Sequence, residues 1–273
     1  MTPTRTRTLA LVAAAAAAAL VLAGCGSSGD SSSAAATTAG ASSSGSSALD
    51  GDITVLAAAS LTSTFTEIGA RFESANPGVK VTFSFAGSSD LVTQIAQGAP
   101  GDVFAAADTT NMTKVTTAGD NRGDPVRFAT NVLEIATPPG NPAGITSFAD
   151  LAKPGVQVVV CAPQVPCGAA AKKVEDTTGT AITPVSEEQS VTDVLGKVVS
   201  GEADAGLVYV TDVTTAGDKV TGVEFPESAN AVNTYPIVAL KSAASPGTAA
   251  AFAAFVAGPE GQEVLTAAGF GAP

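Results

Sequence analysis

From Asp52 onward, short runs rich in Val, Ile and Phe alternate with stretches whose apolar residues recur at helical spacing. That alternation predicts an α/β fold with mainly parallel sheets. Ile53 to Ala58 reads as a strand and Leu61 to Phe72 as a helix that stops before Asn76-Pro77-Gly78. A strand over Val79 to Phe85 follows, then a short helix with Leu91, Val92, Ile95 and Ala96 on one face, halted by Gly98. Asp102 to Ala107 completes a βαβαβ unit. Val132 to Thr137 reads as a strand running into Pro138-Pro139-Gly140, with a crossover between lobes near Thr130. The scheme then repeats. A short helix near Ser147 to Leu151 precedes the strand Val156 to Cys161 and a helix over Gly168 to Asp176. Ser190 to Val199 is an amphipathic helix, Ala205 to Val210 a buried strand, Tyr235 to Leu240 a return strand, and Pro246 to Ala268 the closing helices. Two such lobes of about a hundred residues each, joined by more than one crossing, form a clamshell whose ligand sits off the strand ends.

The first 24 residues follow another pattern. Arg5 and Arg7 precede an uninterrupted apolar stretch from Leu9 to Ala23, the layout of a secretory signal. Leu22-Ala23-Gly24-Cys25 resembles the lipobox of bacterial lipoproteins, which implies lipidation of Cys25 and an extracytoplasmic protein anchored to the cell membrane. Cleavage nearby to give a soluble secreted protein is the alternative. Residues 26–50 are almost wholly Ser, Gly, Ala and Thr, too polar and small to offset their ordering entropy. They read as a flexible tether, roughly 25 to 30 Å end to end. The expected organisation is a signal over 1–24, the lipidated Cys25 and linker over 25–50, a first lobe of 51–131 plus 239–273, and a second lobe of 132–238.

Charge and composition narrow the chemistry. With 13 Lys and Arg against 25 Asp and Glu, the net charge is −12, so no nucleic-acid partner is expected. The chain has no His, which removes Ser-His-Asp and Cys-His catalysis and the ordinary zinc sites. No enzymatic activity, no cofactor and no directly bound metal are expected, and the protein is expected to be a monomer. Beyond Cys25, the cysteines Cys161 and Cys167 form an even pair spaced C-x5-C. In an oxidising compartment they read as a local disulfide, with two small buried thiols as the alternative.

Four strand-to-helix junctions place small or hydroxyl residues at helix starts: Ala58-Ala59-Ser60-Leu61, Gly87-Ser88-Ser89-Asp90, Val165-Pro166-Cys167-Gly168 and Gln189-Ser190-Val191. A helix start leaves unpaired N–H groups and the positive end of the macrodipole, so several converging starts bind an anion without Lys or Arg. Singly, each junction reads as ordinary N-capping, and Tyr209 as a core tyrosine. The ordered set carries the signal.

That set resembles the molybdate-binding receptors of bacterial molybdate ABC transporters, over essentially all of residues 52–273. Ile53-Thr-Val-Leu-Ala-Ala-Ala-Ser-Leu-Thr62 resembles the family's opening strand and first ligand loop, with Ser60 at a ligand-binding serine. Phe85-Ala-Gly-Ser-Ser-Asp-Leu91, followed by Ile95-Ala-Gln-Gly-Ala-Pro-Gly-Asp-Val-Phe104, resembles the second signature. There Ser88 takes the second serine position and Ser89 reads as the capping neighbour. Val165-Pro166-Cys167-Gly168 corresponds to a loop that commonly reads Val-Pro-Ala-Gly, so Cys167 replaces an alanine whose main-chain N–H is the donor. Val191 falls on a second main-chain donor, and Gly206-Leu-Val-Tyr209 on the strand that delivers a tyrosine hydroxyl. The resemblance implies a periplasmic-binding-protein-like clamshell of type II, closing over molybdate or tungstate and delivering it to a membrane permease.

An all-donor pocket leaves the proton of hydrogen phosphate unpaired, at roughly 1 to 3 kcal/mol. Asp90 would accept that proton if it faced inward. Sulfate differs from molybdate by size alone. The competing readings are a receptor for sulfate or phosphate on the same fold, a secreted serine hydrolase using Ser60 or Ser88, and an adhesive lipoprotein. The hydrolase lacks a G-x-S-x-G elbow and an S-x-x-K pair.

Overall fold

The computed structural model describes residues 49–273, so the signal segment, Cys25 and the tether to residue 48 lie outside the described residues. In chain order the elements are β1 (Ile53–Ala58), α1 (Thr62–Ala75), β2 (Val81–Ala86), α2 (Ser88–Ala96), β3 (Val103–Ala105), α3 (Thr109–Ala118), β4 (Asn121–Asn131) and β5 (Leu133–Thr137). There follow β6 (Val158–Cys161), α4 (Pro166–Thr178), β7 (Ser186–Glu188), α5 (Val191–Val199), β8 (Ala205–Tyr209), α6 (Val210–Ala216), β9 (Thr221–Val223), β10 (Asn233–Leu240), α7 (Pro246–Ala257) and α8 (Pro259–Ala267). Among the described residues no helix is long and apolar enough to cross a membrane.

The strands form two mixed sheets, ordered β2-β1-β3-β10-β4 and β7-β6-β8-β5-β9. In each, one reversed strand, β10 or β5, lies antiparallel to both its neighbours, while the other four point the same way. Both sheets are buried on two faces, which explains the near-continuous apolar runs of their central strands. Along β1, Val55 and Ala57 face the cluster built with Phe65, Phe72 and Phe252, while Leu56 packs on the opposite side with Leu91, Phe104 and Met112. The second sheet has its own core around Val159, Val194, Leu207 and Phe148.

The chain passes from β4 into β5 around Val132 and returns before Asn233. The return strand therefore starts earlier than an expected second lobe of 132–238 allows, because all of β10 pairs within the first sheet. Pro236 fits inside it because the pairing with β4 shifts register between Tyr235 and Pro236, sparing the missing N–H. Five elements have no counterpart in the hydrophobic pattern: α3, β4, β7, α6 and β9. β4 is the largest of them, an edge strand exposed over most of its first seven residues and carrying Gly123 and Pro125, so it lacks the apolar alternation of an interior strand.

Candidate functional site

All five residues singled out by the sequence, Ser60, Ser88, Cys167, Val191 and Tyr209, line one cavity between the lobes. Its cavity volume is about 10 Å³, room for roughly one water-sized sphere, so the site suits a small ion. No Lys, Arg, Asp or Glu lines it. Asp90, half-buried on α2, is not in the lining, so it supplies no inward acceptor.

Three of the four junctions are not N-capped by a side chain. A 3-10 turn, Ala59–Leu61, leads into α1, and neither start has a side-chain cap. α2 starts after Gly87 and α4 after Val165, also without one. Pro166 at the first position of α4 has no N–H, so the nearest free donors there belong to Cys167 and Gly168. Ser190, by contrast, is an ordinary cap: its Oγ accepts the Asp193 N–H at 3.2 Å. Ser89 does not cap α2 as the sequence reading expected, and its buried Oγ has no hydrogen-bond partner.

The backbone fixes the polarity of one hydroxyl. Ser88 Oγ, buried at the start of α2, accepts the Ala107 N–H at 3.0 Å, which leaves its own hydrogen to donate. Ser60 Oγ lies 3.1 Å from the Tyr235 hydroxyl. Tyr209 ends β8 with its ring 1% exposed, and its hydroxyl has no partner within the described protein. A buried unpaired phenol at a cavity wall is costly unless a ligand pairs with it. Burial raises the Tyr209 phenol well above its ordinary value, so it remains a proton donor. Burial also pushes the nearby Asp212 carboxyl up to about 7, against the pull of the Tyr209 N–H that it accepts at 2.9 Å.

Tyr235 and the approach at Gly87 escaped the sequence reading. The chain has two tyrosines, and their rings meet edge to face at 6.1 Å beside the cavity. That scarcity was the one available signal. Gly87 packs so closely on the Gln189 carbonyl that an added Cβ would stand 2.0 Å from its oxygen.

The bacterial extracellular solute-binding protein model matches residues 53–271. The molybdate-binding protein ModA of Mycobacterium tuberculosis is 54% identical over 221 residues, covering 81% of this chain and 85% of that protein. The chain belongs to the ModA family of bacterial extracellular solute-binding proteins. The Escherichia coli ModA is 32% identical over 232 residues, 81% of this chain and 89% of its own. The solved periplasmic molybdate-binding protein of Azotobacter vinelandii superposes with a TM-score of 0.72 at 25% identity, over 81% of this chain and 99% of that one. ModA-family membership makes this an extracytoplasmic, solute-binding chain.

In this ModA-family chain Cys161 and Cys167 are disulfide-bonded, with Cα atoms 5.6 Å apart, and both are buried. The bond ties the end of β6 to the first turn of α4. Replacing both cysteines by Ala is expected to lower unfolding stability by about 2 kcal/mol, the loop-closure value for so short a link. Oxyanion affinity should fall without being lost, because the Cys167 donor is main chain. Denaturant midpoints and titrations of both proteins check this, and equal affinity would refute a role for the disulfide in ordering the loop.

Proposed function

We propose that this protein captures molybdate, and tungstate with it, outside the cytoplasm and delivers it to the permease of an ABC transporter. The observation that carries the reading is a small cavity without charged walls, into which uncapped helix starts and hydroxyls from both lobes converge. Ser60, Ser88 and Tyr209 donate through side chains, Cys167 and Val191 through main-chain N–H groups. Each hydrogen bond to a charged oxygen contributes about 1.5 to 3 kcal/mol, and each dipole a few tenths to about 1, so a handful hold a dianion against the protein's negative field. The names of the relatives support molybdate as the ligand. The chain acts as a binding protein without turnover, as a monomer anchored through lipid on Cys25, and the tether lets the clamshell reach its permease.

Titration calorimetry of residues 47–273, stripped of ligand, should show tight one-to-one binding of molybdate and tungstate, with sulfate far weaker. Preference for sulfate or phosphate would reassign the receptor, and absence of binding would sink it. Tyr209→Phe adds a sharper test. It removes a hydroxyl that has no protein partner, so stability should hold or rise while molybdate affinity falls about tenfold or more. Unchanged affinity would remove Tyr209 from the site.

A further inference from the structure

Both serines of the cavity have a hydrogen-bonding group behind them, and the two groups differ in kind. Behind Ser88 stands the Ala107 N–H, a backbone group whose polarity cannot reverse. Behind Ser60 stands the hydroxyl of Tyr235, a side chain on β10 whose ring is 0% exposed. Burial pushes the Tyr235 phenol well above its ordinary value, so the group keeps its proton and must place it. Its geometric partner is Ser60 Oγ at 3.1 Å, while the Asn131 amide and the Tyr209 hydroxyl also act on it; Asn131 Oδ1 already accepts the Val132 N–H, so its amide faces Tyr235 as a donor, and Tyr209 is a phenol, a poorer acceptor than the serine hydroxyl. A phenol is also a better donor and a poorer acceptor than an alkyl hydroxyl. The proton therefore goes to Ser60 Oγ, and the hydrogen of Ser60 is left to turn into the cavity.

We propose that Tyr235 is a specificity-determining positioning residue: by donating to Ser60 Oγ it fixes that hydroxyl as a donor, so the pocket rejects oxyanions that carry a proton. The proposal rests on the receptor reading above and names what that site excludes. Were Ser60 free to rotate, it could present its oxygen to the P–OH of hydrogen phosphate. Held by Tyr235, it presents hydrogen, and the ligand proton has no acceptor there. Sulfate matches phosphate in size and brings no proton, so the ratio of the two affinities isolates this effect from cavity size.

Tyr235→Phe retains the ring, which packs edge to face on Phe128, Tyr209 and Phe270, and deletes the hydroxyl. Competition titrations of the full-length protein in detergent at pH 8, with molybdate, sulfate and phosphate, read the outcome. The variant should raise phosphate affinity relative to sulfate about tenfold, the factor for one recovered hydrogen bond, while the molybdate-to-sulfate ratio stays at its wild-type value. In a Ser60→Ala background the same substitution should leave the phosphate-to-sulfate ratio unmoved, because the hydroxyl it acts through is gone. A Tyr235→Phe protein that weakens all three anions alike, or relaxes sulfate and phosphate together, overturns the proposal while leaving the receptor reading intact. Wild-type protein that binds none of the three anions ends both.

Discussion

Gly87→Ala is expected to weaken molybdate binding by about a hundredfold or more, equal to roughly two charge-assisted hydrogen bonds, while the ligand-free protein keeps its stability. Gly87 has φ −59° and ψ 139°, a conformation open to any L-residue. Alanine is a poorer cap than glycine, by up to about 1 kcal/mol, and the lower entropy of the unfolded chain offsets much of that. The obstacle lies across the cleft. An added methyl would meet the Gln189 oxygen at 2.0 Å and Val165 Cγ1 at 3.6 Å, both in the second lobe. A backbone carbonyl cannot rotate aside as a side-chain tip can, so the lobes must part by about an ångström or more, and hydrogen bonds weaken steeply over that range. Ser60 and Ser88 would then bind without Cys167, Val191 and Tyr209. Calorimetry with thermal unfolding checks both halves of the expectation. Wild-type affinity in the variant would show that closure to this contact is not needed for binding.

Ser88→Ala should lower molybdate affinity by about a hundredfold, near the upper end for a hydrogen bond to a charged group, because its hydrogen is already aimed by the bond behind it. Unlike Tyr209→Phe, it should also destabilise the ligand-free protein, by about 1 to 3 kcal/mol, since the buried Ala107 N–H loses its acceptor. Chemical denaturation without ligand separates the two variants. Equal stability for both would mean that Ala107 finds another partner and that Ser88 is not held from behind.

Much of the architecture was legible because burial on both faces leaves a plain signature. β1 spans the residues expected from its apolar run, and α5 follows the helical spacing of Val191, Val194 and Val198. The polar edge strand β4 and the short α6 left no such trace, since neither repeats an apolar period. Proline punctuation placed the loops well, but Pro236 sits inside a strand, where a shift of register accommodates it.

The residues of the candidate site were legible for a different reason. Anion sites of this kind are built at helix starts, and helix starts are local, so Ser60, Ser88, Cys167 and Val191 each announced a position in sequence. Read alone, the chain therefore specifies the fold class, the cysteine pair, a candidate secretory signal and a set of candidate donors. It took the folded chain to show that three of those helix starts are uncapped, that Asp90 stays out of the cavity, and that Ser60 is backed by a tyrosine 175 residues away. Helix starts and apolar periods arise from neighbours along the chain, whereas the direction of a hydroxyl hydrogen and the reach of a glycine depend on groups that only folding brings together.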